Sequence, residues 1–158
     1  MVSASLGQLG GARIGSALLA CCAENGSGSH DYLRSEDLLR GPHAARNLSD
    51  AVHFLCMLHG RQPGVIDHAA NRSTDPAARA WFNAAIDQFG IERTILTRLA
   101  VAAGPIPSTA GAGDTEAVVI SQRHAIEMLA QSERNGCAVG AAFAVALDWR
   151  HVRAVLDA

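Results

Sequence analysis

The chain has 158 residues and a formal charge of −2 at pH 7, about one domain's worth of length at roughly 150 residues per domain. With 49% hydrophobic and 18% charged residues it has the apolar surface to build a core, which excludes wholesale disorder and collagen-like repeats. Near-neutral charge and a sequence pI near 6.4 leave no basic surface for nucleic acid or an anionic membrane.

All 13 basic residues are arginine, lysine is absent, and alanine fills roughly 30 positions, the composition of a GC-rich bacterial coding sequence. Without lysine, Schiff-base chemistry, a lysine general base and a P-loop lysine are impossible. Aromatic residues make up only 4%, so the core must be aliphatic and alanine-rich. Cys21, Cys22, Cys56 and Cys137 lack the short spacings of zinc ligands. Cys56 and Cys137 sit in apolar runs, where a free thiol is a small hydrophobe; this usage suits a reducing cytoplasm.

In chain order, residues 12–23 read as a short helix ended by Asn25-Gly26-Ser27-Gly28-Ser29. Leu18-Leu19-Ala20-Cys21 has the outline of a lipoprotein box, but its apolar stretch is short and follows glycines, not basic residues, so a packed N-terminal helix is the reading. A helical turn is expected over 35–39 before Gly41-Pro42. Ser49 reads as an N-cap for an apolar helix over 51–58, closed by Gly60. Pro63 suits the first turn of a helix running to Asn71, and Asp75-Pro76 is a strong start for a long helix over 76–103. Beyond the Gly/Pro-rich linker, Asp114 or Thr115 caps a helix to about Asn135, and Gly136 separates it from a last helix over 137–156. No segment alternates as a strand does, and no run reaches the roughly 18 apolar residues of a membrane span. The expectation is an all-α four-helix bundle over 47–158, with 1–46 as an N-terminal extension of short helices packed on it.

On a helical wheel, Trp81, Ala85, Phe89, Leu96, Leu99 and Ala103 form one stripe with Glu92 at its centre. Val118, Val119, Ala125, Ile126 and Leu129 form another, with Gln122 and Glu133 along its middle. Each glutamate is followed by an arginine, Arg93 and Arg134. A buried carboxylate without a partner is costly. Three accounts therefore compete: pairing with arginine or water, a dinuclear metal site between facing helices, and a general acid or base in a small-molecule pocket.

The run Glu92-Arg93, Leu96, Leu99, Ala103-Gly104, Pro107, then Glu116, His124-Ala125, Glu127, Leu129, Glu133-Arg134 resembles the helix pairs of ferritin-like four-helix bundles, alanine-rich bacterial ones in particular. The resemblance covers roughly residues 75–156 and is one of spacing. It implies a long crossover between the two long helices, while the reach of the linker by itself allows a plain hairpin as well. Metal-binding members carry Glu-x-x-His on two helices, whereas here position 95 is Ile and position 136 is Gly, so neither glutamate has its histidine. Asp50-x-x-His53 and Asp148-x-x-His151 keep the spacing with a shorter acid, and His124-x-x-Glu127 reverses it on what reads as a solvated face.

A second cluster, His59-Gly60-Arg61-Gln62-Pro63-Gly64 with Asp67-His68, gathers two imidazoles, an arginine and a carboxylate around a tight turn. It suits an anion or metal pocket, or a turn in which Arg61 pairs with Asp67 and His59 caps a helix. His53, alone in an apolar helix, reads as a satisfied core histidine. The leading expectation is a non-catalytic binding or self-association module without cofactor, with a homodimer through an apolar helix face such as 138–147. The alternative is a ferritin-like iron, manganese or zinc protein or oxidoreductase using Glu92 and Glu133 with His53, His59, His68 or Asp67.

Overall fold

The computed structural model of the protein describes residues 6–106 and 108–158. Within them lie seven α-helices: α1 (Leu6–Asn25), α2 (Glu36–Leu39), α3 (Ala44–His59), α4 (Val65–Arg72), α5 (Pro76–Ala103), α6 (Ala112–Gln131) and α7 (Cys137–Leu156). Two 3-10 turns, Ser27–Ser29 and Asp31–Arg34, follow α1, and no strand occurs among the described residues. The protein is all-α. Among those residues no helix is long and apolar enough to cross a membrane.

The best-signalled helices have the expected ends. In α5, the Asp75 carboxylate accepts the Ala78 N–H at 2.7 Å, Pro76 opens the first turn, and Gly104 stops the helix at a φ of 79°. The bounds of α7 also coincide with those expected. Elsewhere the ends differ. Helix α1 starts at Leu6, several residues before the expected Ala12, and α3 starts at Ala44, which leaves Ser49 buried inside the helix and not at its cap. Alanine and arginine at 44–46 are strong helix formers and extend α3 backwards. Pro63 lies before the α4 N-cap, Gly64, with a cis Gln62–Pro63 bond. Helix α6 runs from Ala112 to Gln131, with Gly111 in the left-handed region as its N-cap, so Glu133 lies beyond its end. Pro107, part of the ferritin-like spacing, lies outside the described residues.

The chain divides into two compact units, Met1–Ser35 with Ala144–Ala158 and Glu36–Phe143. In the second, α3 and α4 each pack against both α5 and α6, and α2 packs on α3. Helices α5 and α6 are thus neighbours of the same pair and hardly of one another. The linker between them is tied to α3 at two points. His53 Nε2 donates to the Gly104 carbonyl at 2.9 Å, and Thr109 Oγ1 donates to Asp50 Oδ2 at 2.9 Å. The spacing in Asp50-x-x-His53 therefore serves to hold a connection, one helical turn presenting both groups on one face.

The core of this unit is Leu38, Val52, Val65, Ile66, Ala69, Phe82, Phe89 and Leu96, with Ala130, Ala138 and Ala142. Each large aliphatic or aromatic residue here contributes roughly 1.5–3 kcal/mol through burial. Both expected stripes are turned from their wheel positions. On α5 the buried line runs through Phe82, Phe89 and Leu96, with Arg93 between, a rotation of roughly 60° from the expected stripe. Trp81 is part-exposed and stacks on Phe143 of α7 with ring centroids 4.5 Å apart, while Ala103 is exposed. The apolar arc of α5 is wide because it serves two sets of neighbours.

On α6 the inward line is Val119, Arg123, Ile126 and Ala130. Val118 (66% exposed), Ala125 and Leu129 point outward, about one residue step from the expected orientation. Arg123 takes the place of an apolar residue by laying its stem inward and donating to the Met57 carbonyl of α3 at 3.4 Å. Residues 138–147 of α7 are buried or half-buried within the single chain.

In the first unit, the backbone N–H of Ser27 and its hydroxyl, the latter at 2.6 Å, donate to the Asp148 carboxylate. A Cβ on Gly28 would come 2.5 Å from the His151 ring, and one on Gly26 would meet the Cys22 carbonyl at 2.4 Å. Asp148 and His151, one turn apart, thus seat a loop that only glycine at 26 and 28 lets approach.

The rotated faces are tested by urea denaturation. Leu96→Ala should cost about 3 kcal/mol through the cavity it leaves, whereas Val118→Ser should change stability by no more than about 0.5 kcal/mol. A cost for Val118→Ser as large as that for Leu96→Ala would restore the wheel-based orientation of α6.

Candidate functional site

The densest assembly of polar groups surrounds the turn between α3 and α4. Asp67, in the first turn of α4, accepts the Gly64 N–H at 2.7 Å and so closes the helix start. Its Oδ2 also takes the Arg93 Nη2 donor at 3.4 Å. Arg93 Nε donates at 3.1 Å to the carbonyl of His59, the last residue of α3, and the guanidinium lies 5.8 Å over the Phe89 ring. The side chains are 11% exposed at Arg93 and 20% at Asp67, so this pair works in a far lower dielectric than a surface bridge. Arg93 Nη1 is buried and has no hydrogen-bond partner among the described residues.

Beside this cluster opens a cleft of about 520 Å³. It is lined by the polar residues Arg61, Arg93 and Thr97, by Gly60, and by Cys56, Leu96, Ala100 and Val101. The Thr97 hydroxyl is committed to the Arg93 carbonyl at 2.9 Å. The Cys56 thiol donates to the Leu96 carbonyl at 3.6 Å, and burial pushes its pKa up. It therefore contributes soft apolar surface to the cleft and little nucleophilicity.

The structure sorts the residues singled out by sequence. It brings together His59, Arg61, Asp67 and Arg93, with His68 half-buried on α4. The acid partner differs from the expected one: Asp67 pairs with Arg93, not with the exposed Arg61, because Arg93 reaches the turn from across the helix interface. His53 is spent on Gly104. Glu92 is half-buried at the edge of the α5 face. Gln122, Glu133 and Arg134 are exposed, contrary to the buried positions expected of them, because α6 is rotated and ends before Glu133. Glu133 is 94% exposed and accepts from Arg72 Nη2 at 3.1 Å, while the same arginine caps the carbonyls of Gln131 and Ser132. Glu127 is half-buried, 3.7 Å from Arg123, and so belongs to the inward side of α6.

Among the described residues no three His, Cys, Asp or Glu side chains come together as metal ligands would. Glu92, Glu133 and His53 do not share a common point.

Sequence reasoning includes Arg93 among the buried polar candidates, beside Glu92, and misses the cleft residues Cys56, Thr97, Ala100 and Val101. A signal was present: Phe82, Phe89, Arg93, Leu96 and Ala100 follow helical spacing once an arginine stem is allowed to count as apolar.

The fold and this cleft define an all-α helical protein with an arginine-lined pocket at a helix–helix turn. Residues 22–158 match the model of a family of unknown function, DUF6975. The chain belongs to that family. It matches no curated protein and no solved structure at a significant level.

Removing the acid leaves the buried cation of Arg93 short of its counter-charge. Asp67→Ala should lower stability by about 2–4 kcal/mol in urea titration, against under about 1 kcal/mol for Glu133→Ala on the exposed pair. With mass-resolved maleimide labelling at neutral pH, Cys56 should react more slowly than the exposed Cys21. Its rate should keep rising to higher pH, because its thiolate forms later.

Proposed function

We propose that the protein is a non-catalytic helical binding module whose ligand site is the cleft between α3 and α5. One observation carries the reading: a single cleft is lined both by the arginines Arg61 and Arg93 and by the apolar side chains Leu96, Ala100 and Val101. Its size lies within the range of roughly 300–1,000 Å³ typical of small-molecule sites, and the mix of apolar lining with a few placed polar groups is that of a ligand pocket. What supports the absence of catalysis from the reading is the state of its groups. Asp67 is engaged by two donors, and the Cys56 thiol is held protonated by burial, so neither offers a poised base or nucleophile.

Self-association is a second reading, favoured by the outward line of Val118, Ala125 and Leu129 on α6, with Met128 beside it. Such a row is the kind of surface that a second copy covers.

Ala100→Trp should fill the cleft. In a ligand-observed NMR screen of small organic fragments, the compounds that bind the natural chain should lose their signal with this variant while the circular dichroism spectrum is kept. Undiminished binding would place the ligand site elsewhere. For the second reading, light scattering across a concentration series should give a dimer mass that Leu129→Glu returns to that of the monomer.

A further inference from the structure

We infer that the ligand of this cleft is an organic anion, a carboxylate carried on a compact aliphatic body. The inference rests on the cleft being the binding site. It starts from the charges around it: two guanidinium groups, Arg61 and Arg93, line the cleft, and the nearby carboxylate, Asp67, already accepts the Gly64 N–H and the Arg93 Nη2 donor. One positive charge is left over. Arg93 Nη1 lies buried with no hydrogen-bond partner among the described residues, and the exposed Arg61 makes no ion pair with any of them.

An anionic oxygen supplies the counter-charge that Arg61 lacks. A neutral ligand meets that need poorly, and a cation is repelled. The planar fork of the Arg61 guanidinium suits the two-oxygen geometry of a carboxylate. The remainder of the cleft is apolar: Leu96, Ala100, Val101 and the protonated Cys56 thiol offer nothing to a bare inorganic ion. The complementary molecule therefore has a charged head and a short hydrocarbon body.

Three probes separate these elements: octanoate, 1-octanol with the same body and no charge, and inorganic phosphate with charge and no body. Each is titrated by calorimetry at fixed ionic strength into the natural chain and into Arg61→Gln, a variant at an exposed position, its fold checked by circular dichroism. Alkylation of Cys56, resolved by peptide mass spectrometry, reports whether a probe sits in the cleft. The expected result is octanoate binding at least about tenfold tighter than octanol, protection of Cys56, and at least about tenfold weakening by Arg61→Gln with octanol unaffected. Octanol binding as tightly as octanoate, or indifference to Arg61→Gln, would overturn the anion while the cleft stands as a binding site. Phosphate matching octanoate would overturn the aliphatic body. Octanoate that binds without protecting Cys56, or fails to bind, would overturn the inference, and the Ala100→Trp fragment comparison would then decide separately whether the cleft binds anything.

Discussion

A single buried cation organises the unit formed by residues 36–143. Arg93 projects from the middle of α5 and holds the last carbonyl of α3 with Nε. Through Nη2 it holds the acid that closes the start of α4. Three helices meet at one guanidinium because its donors are fixed in a plane and can serve carbonyl and carboxylate at once. A lysine ammonium could not span these partners in the same geometry, and in this chain every cation is an arginine. The same residue lines the cleft, so the contact that shapes the turn also contributes to the polarity of the pocket.

Arginine at helix ends recurs. Arg72 reaches the last carbonyls of α6, and Arg79 donates twice to the Ser73 carbonyl just past α4. Each satisfies acceptors that a helix leaves unpaired at its C-terminus, where the helix dipole also favours a positive charge. The Arg72 contacts join α4 to the end of α6, which gives an alanine-rich core with few bulky side chains an added means of locking its helices in register.

Polar side chains on α3 act similarly on the connection between α5 and α6. His53 and Asp50 hold Gly104 and Thr109, so the chain leaves α5 and reaches α6 by way of α3. A histidine hydrogen-bonded to a carbonyl through Nε2 has that nitrogen protonated, which removes it as a metal ligand in this arrangement. In the other unit, Asp148 holds Ser27 by two hydrogen bonds while the His151 ring packs against Gly28. Both Asp-x-x-His spacings, which have the outline of a ligand pair, here grip backbone segments.

Local sequence determined that the protein is helical, where α5 and α7 begin and end, and that the turn between α3 and α4 concentrates charge. Those features rest on short-range physics: the Asp75-Pro76 start, the glycine and proline stops, and hydrophobic spacing. Which side of each long helix faces inward was decided only by tertiary packing. Helices α5 and α6 are apolar over a wide arc, and a wheel cannot tell which part of that arc meets a neighbour. The choice depended on arginines at 93 and 123 finding acceptors on α3 and α4, carbonyls and a carboxylate brought within reach only when the helices assemble. A long cation reads as a surface residue until its partner is present, so Arg93 became the centre of the site and Glu92, beside it, moved to the edge.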